Sequence, residues 1–269
     1  MELGRIGLWH GSSAAGAAAD IERLGFGALW IGGADGALSE VAAALAVTSR
    51  LVVATGIVNI WRQPARTAAV AYHQVTQRHP GRVLLGIGAG HRESVDAYER
   101  PYDALSGYLD VLDAAEVPRG HRVLAALGPK VTRLAAERTA GAHPFLTTPE
   151  HTARARDVLG DRLLAPEQKV ILETDAGKAR AIGREALAFY LTRENYRANL
   201  LRLGFDEDDL AGGGSDRLFD ATIAWGDMDT IAGRVQAHLD AGADHVAINV
   251  LTGTEDLPRK EWRELAELR

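Results

Sequence analysis

The sequence predicts an α/β fold, a closed (β/α)8 TIM barrel, on three observations. Short apolar, β-rich runs alternate with helix-period segments along the chain. Eight such runs occur, each followed or preceded by a helix, which favours parallel pairing through βαβ crossovers. Several helices pass to the next strand through a glycine, as at Gly25, Gly141 and Gly242, where a residue without Cβ ends the helix in the left-handed region at no steric cost.

The elements follow in order. Residues 4–9 read as a strand and 14–24 as a helix; 27–32 is a second strand before a helix at 39–48. A third strand at 51–58 precedes a helix at 65–78, and a fourth covers 82–88. A helix around 102–115 leads to a strand at 122–127, a helix at 129–138 and a strand at 142–146. A helix at 149–159 precedes a long strand at 163–173, and a helical stretch runs from 178 to about Trp225. A helix at 230–241 and a strand at 245–250 close the series. No long Pro/Gly/Ser linker divides the chain, so residues 1–269 read as one domain. The rival is an open doubly wound sheet, which wants its glycine fingerprint after the first strand. Here the glycines follow the fourth strand, as Gly86-Ile87-Gly88-Ala89-Gly90-His91, and His91 stands where that fingerprint needs its last glycine.

Composition narrows the function. Hydrophobic residues make up 46% and charged residues 25%, which excludes a disordered chain. The absence of cysteine excludes a disulfide scaffold, a thiolate zinc site, an iron–sulfur cluster and a cysteine nucleophile. A formal charge of −6 argues against a broad nucleic-acid-binding face. The first 20 residues lack the basic-then-apolar order of a signal peptide, and no run approaches ~20 apolar residues, so a cytoplasmic protein without membrane contact is expected. The nine histidines contain no H-x-H or H-E-x-x-H, so no metal site is expected. G-x-S-x-G is absent, and only Lys169 of the four lysines falls in an expected strand, which disfavours a Schiff-base enzyme.

In a barrel of this kind the chemistry lies at the carboxyl ends of the strands. The candidates there are Trp9 and His10, Gly32 and Gly33, residues 56–61, residues 88–91, residues 127–130, His143, residues 173–175 and Asn249. Their many glycines either let backbone approach a flat ring or phosphate, or merely make tight turns. His91 follows Gly90 over the expected mouth, and an imidazole of reference pKa ~6.5 suits proton transfer near neutrality; a surface imidazole beside Arg92 and Glu93 is the plainer reading. His10 and His143 read more readily as packing or hydrogen-bonding residues. Gly128-Pro129 and Thr148-Pro149 each start a helix directly after a strand. Free N–H groups and the positive dipole end make such a start a ready phosphate site.

The third and fourth units carry a resemblance. LVVATGIVNIW at 51–61, the Arg62-x-Pro64-Ala65 helix start and LLGIGAGH at 84–91 together resemble the bacterial luciferase-like superfamily. ALGPK at 126–130, GAH at 141–143 and AGADHV at 241–246 resemble the later units of its branch that uses coenzyme F-420. The resemblance implies a flavin-like ring at the carboxyl mouth of a luciferase-like barrel. It also implies a non-proline cis peptide at Gly56–Ile57 supporting the ring, with Asn59 as a polar contact. By the same resemblance Gly33, Gly88, Ala89 and Gly90 lie beside the ring. Ala126, Leu127, Gly128, Pro129 and His143 complete the cofactor site, with Gly128 near the phosphate. His91 stands where deazaflavin-dependent sugar-phosphate dehydrogenases of the family carry a proton-transferring acid. Gly33-Ala34 replaces the family's Asp-His pair after the second strand, which argues against alcohol oxidation by that histidine. Only about 30 residues separate Gly90 from the fifth strand, so a reduced lid insertion and an open substrate mouth are expected.

The sequence therefore reads first as an F-420-dependent oxidoreductase passing hydride between the deazaflavin and a small organic substrate, with His91 handling a proton. Trp9, His10 and Trp61 would form an aromatic substrate wall. The alternatives are a reduced-FMN-dependent monooxygenase on the same fold and a non-catalytic flavin-binding protein. The resemblance also implies a homodimer.

Overall fold

The computed structural model describes residues 1–90 and 100–268, so His91 lies outside the described residues. The first strand, β1 (Ile6–Gly11), leads into a 3-10 helix (Ser12–Ala17) and a short α1 (Ala18–Arg23), where one longer helix was expected. Then come β2 (Ala28–Gly32), α2 (Ser39–Ala46), β3 (Val52–Thr55), β4 (Val58–Asn59), α3 (Ala65–Arg78) and β5 (Val83–Gly88). After the undescribed residues the chain continues as α4 (Pro101–Ala114), β6 (Arg122–Leu124), α5 (Pro129–Arg138), β7 (Gly141–Ala142) and α6 (Pro149–Leu159). Next are β8 (Leu163–Leu164) and β9 (Glu167–Ile171), followed by the helices α7 (Ala176–Leu191), α8 (Glu194–Leu203), α9 (Glu207–Leu210) and α10 (Asp216–Thr222). The series closes with β10 (Ile223–Trp225), α11 (Met228–Asp240), β11 (Val246–Val250) and α12 (Arg259–Leu265).

The strands pair in parallel, with β1 between β11 and β2, and the order running on through β3, β5, β6, β7 and β8. The ring closes through residues 163–167. Ala165 N donates to Ala142 O at 2.9 Å and Glu167 N to Pro144 O at 2.8 Å on one edge. On the other edge Ala247 N donates to Pro166 O at 2.9 Å. The expected strand 163–173 is thus one barrel strand in two pieces, interrupted at Pro166, which has no N–H to give the ladder. Beyond it, β9 takes β10 as a further neighbour.

Alternation along the strands divides the core. Ala28, Trp30, Val52, Ala54, Leu84, Val123 and Ala247 fill the barrel interior as one cluster. Leu29, Ile31, Val53, Val83, Leu85 and Ile248 belong to the outer cluster, which includes buried residues of the surrounding helices. Both faces being apolar is what a parallel sheet requires. Among the described residues no helix is long and apolar enough to cross a membrane.

The third strand carries the feature that shapes the mouth. Ala54 pairs with Leu84 and Val58 with Ile87, so four steps on one strand face three on the other, a bulge of one residue. Thr55 fills the gap in the ladder: its hydroxyl donates to Gly86 O at 2.7 Å and accepts from Gly86 N at 2.8 Å. Gly86 has to be glycine here, since a Cβ would collide with the Thr55 carbonyl. The peptide after Thr55, Gly56–Ile57, is cis, the bond singled out in the sequence.

Candidate active site

A cavity of about 790 Å3 opens at the carboxyl ends of the strands, within the usual range for a small-molecule site. Its barrel side is made largely of backbone and small side chains: Gly33, Gly56, Ile57, Asn59, Ala89 and Gly90, then Ala126, Leu127 and Gly128. At Gly56 a Cβ would stand 2.5 Å from Trp9 Nε1, so the indole can cross here only over a glycine. That indole N–H donates to Gly56 O at 3.2 Å. Gly90 has a φ of +58° and is pressed against the Asn59 amide.

Strand alternation explains which aromatic residues reach the cavity. Trp9 lines it, whereas His10, the next residue on β1, points the other way and packs edge-on against Trp262 of α12 at 5.8 Å. Burial lowers the pKa of His10. Trp61 is also not a lining residue; its indole N–H donates to Ala89 O at 2.5 Å and braces the turn from outside. Of the three residues expected to form a substrate wall, Trp9 lines the described cavity and His10 and Trp61 do not. Gly88 is buried against the Ile57 side chain beneath the surface, and Pro129 is exposed on the outer side of its helix start.

The opposite wall was not foreseen. Phe145, Phe189, Tyr190 and Tyr196 line it, with Arg193 and Arg202 at its edge and Arg62 across the mouth. Ring contacts link Trp9 to Phe145 at 5.1 Å, Phe145 to Tyr190 at 5.3 Å and Tyr190 to Tyr196 at 4.9 Å. The helices α7 and α8 supply most of this wall. Burial raises the phenol pKa of both Tyr190 and Tyr196, and the Glu167 carboxylate adds to it. Behind Phe145 the ammonium of Lys169 lies 3.8 Å from the ring centroid and donates to Glu167 Oε1 at 2.6 Å. Asn249 Nδ2 and Leu146 N complete the shell of Glu167, so this buried pair is satisfied within the protein.

His143 forms part of the floor and is 1% exposed. Its ring stacks on Trp30 at 4.0 Å and 14°. Nδ1 lies 2.6 Å from Ala165 O, and a carbonyl can only accept, so Nδ1 carries the proton. Nε2 has no hydrogen-bond partner among the described residues. Burial holds the pKa down to about 4, against the opposing pull of the Ala165 carbonyl, so the ring is neutral near pH 7.

The two helix starts behave differently. α5 begins at Gly128 with no side-chain cap and Pro129 in its first turn, and Arg202 Nη2 lies 3.8 Å from where a Gly128 Cβ would be. An uncapped start beside a guanidinium favours an anion. α6 is already capped by Thr148, whose hydroxyl accepts from His151 N, and Thr147 and Thr148 are buried away from the cavity. Only one of the two expected phosphate positions therefore faces the site. Among the described residues no group of three or more His, Asp or Glu side chains is placed to hold a metal ion.

Comparison with known proteins fits this geometry. A sequence comparison with curated proteins finds no match. Residues 10–123 match the family model of luciferase-like monooxygenases. Among solved structures the fold is similar to an F420-dependent secondary alcohol dehydrogenase in complex with an F420–acetone adduct, with a TM-score of 0.76, 15% identity and 98% of both chains covered. It is also similar to the coenzyme F420-dependent tetrahydromethanopterin reductase of Methanopyrus kandleri, with a TM-score of 0.71, 15% identity and coverage of 98% and 97%. A third is the oxygenating constituent of 3,6-diketocamphane monooxygenase from Pseudomonas putida, in complex with FMN, with a TM-score of 0.70, 14% identity and coverage of 98% and 96%. The match over residues 10–123 makes this part of the chain similar to luciferase-like monooxygenases, and the barrel fold is shared with the solved structures over nearly its whole length.

Proposed function

We propose that this protein is a luciferase-like oxidoreductase that uses coenzyme F-420 and passes hydride between the deazaflavin and a small organic substrate. The observation that carries the reading is the charge of the cavity. Its described charged lining residues are Arg62, Arg193 and Arg202 against Asp35, a net positive lining. F-420 carries a phosphodiester and a run of carboxylates, whereas FMN carries one phosphate, so spread cationic groups suit the former better.

The residues present fit such a group. Gly56 and Gly90 keep the barrel wall free of side chains where a planar ring would lie, and Gly128 with Arg202 would hold the phosphate. When bound, the deazaflavin supplies hydride donation or acceptance. The protein's part is to orient the ring and substrate between the barrel wall and the aromatic residues Phe145, Tyr190 and Tyr196, and to exclude water there. The balancing proton is assigned to His91 on the sequence alone. Titrating the purified protein into F-420 tests the proposal through quenching of the cofactor's fluorescence. Micromolar affinity is expected, and no binding at about tens of micromolar removes the reading.

A second reading, an FMN-dependent monooxygenase, is favoured by the aromatic wall, since a site that reacts with oxygen must keep water out. FMN binding clearly tighter than F-420 binding selects it.

A further inference from the structure

We propose that the cavity floor recognises its cofactor through His143, whose Nε2 accepts a hydrogen bond from the imide N–H of the ring. This rests on the reading of the cavity as a flavin-type site; the imide N–H is common to FMN and F-420.

Four observations converge on that nitrogen. The hydrogen bond from Nδ1 to Ala165 O, at 2.6 Å, leaves Nε2 as a bare lone pair. No group among the described residues satisfies it although the side chain is almost wholly buried, and buried polar atoms are rarely left unpaired. The ring cannot turn to find a partner elsewhere. Trp30 stacks on it, the Trp30 indole N–H donates to His245 Nε2 at 3.0 Å, and His245 Nδ1 donates to Gly4 O at 2.7 Å. Finally, Nε2 would lie 3.5 Å from a Gly56 Cβ, so the glycine keeps the approach to it clear beside the cis peptide. The Trp9 indole N–H, which also reaches Gly56, is used on Gly56 O.

The arrangement selects by polarity. A ligand edge that presents N–H gains a bond, whereas one that presents a carbonyl or an N-methyl group meets a lone pair or a clash. The depressed pKa of His143 makes it a fixed acceptor rather than a proton carrier.

Two measurements test this. In protein labelled with 15N-histidine and free of ligand, the His143 resonances at pH 7 are expected to report a neutral ring with the proton on Nδ1; a proton on Nε2 overturns the proposal. The second measurement compares the Kd of FMN, F-420 and N3-methyl-FMN for the natural protein, His143→Phe and His143→Gln. Phenylalanine keeps the stack on Trp30, and glutamine keeps an acceptor oxygen should the phenylalanine variant not fold. About tenfold weaker FMN or F-420 binding is expected in His143→Phe, with part of it recovered in His143→Gln. Discrimination against N3-methyl-FMN of similar size is expected in the natural protein and should vanish in His143→Phe. Folded variants that bind as the natural protein does, or equal affinity for the methylated flavin, overturn the proposal while the cofactor reading stands. Natural protein that binds neither FMN nor F-420 overturns both.

Discussion

On the side of β3 to β6 the cavity is walled by main chain, with Gly56, Ala89, Gly90, Ala126 and Gly128 setting its outline. On the side of α7 and α8 it is walled by side chains: Phe189, Tyr190, Arg193, Tyr196 and Arg202. The first wall follows the turns at the carboxyl ends of the strands, and its shape is set by what the residues lack. The second is built on helices outside the barrel ring and is defined by aromatic area and positive charge. Under the proposed function the main-chain wall takes a flat ring, and the helical wall adds positive charge and shelter from water.

The largest effect is expected on the main-chain wall. Gly56→Ala brings a methyl group 2.5 Å from Trp9 Nε1, so the indole must leave its place and lose its bond to Gly56 O. Cofactor affinity measured by fluorescence titration should fall by about 100-fold or more, together with the melting temperature. A variant that binds normally would show that this wall tolerates side chains and would remove the contrast.

On the helical wall the expected loss is smaller and chemically selective. Arg202→Ala removes the guanidinium beside the α5 start, so FMN affinity should drop by about tenfold while affinity for riboflavin, which has no phosphate, stays the same. The FMN loss should shrink as salt is added, because exposed charges are screened. Equal losses for both flavins would mean that Arg202 shapes the ring site rather than the anion site.

The smallest effect calibrates the scaffold outside both walls. Glu22 accepts hydrogen bonds from the Ser49, Arg50 and Leu51 N–H groups and from the Ser49 hydroxyl, tying α1 to the segment before β3. Desolvation pushes its pKa up, but these donors outweigh it and hold the carboxyl at about 2, below its ordinary 4.5. A depressed folded-state pKa gives stability that is complete above about pH 4.5 and is lost as the pH falls toward about 2. Unfolding followed across that window should show a shallower acid decline in Glu22→Gln than in the natural protein, with ligand binding at neutral pH unchanged.

Much of the main-chain wall was legible in the sequence because its signals are local. Glycines at strand ends, Pro129 after Gly128 and the Thr55-Gly56 step after an apolar run all announce where backbone turns or comes close. His10 parts from Trp9 for a local reason too, since neighbours on a strand face opposite ways. The helical wall carried no such mark. Tyr190, Tyr196 and Arg202 look like ordinary residues of amphipathic helices, and nothing in their spacing says that α7 and α8 return over the mouth.

The order of strands and helices and the glycine joints between them could be read from the chain alone, because propensity and hydrophobic period act over a few residues. Three things waited for the tertiary structure: closure of the ring around Pro166, the aromatic and arginine wall, and the tautomer of His143. Each depends on partners far apart in sequence. For His143 these are the Ala165 carbonyl beneath it, Trp30 against its face and His245 holding Trp30, and the fate of one proton on one ring is decided only when all three are in place.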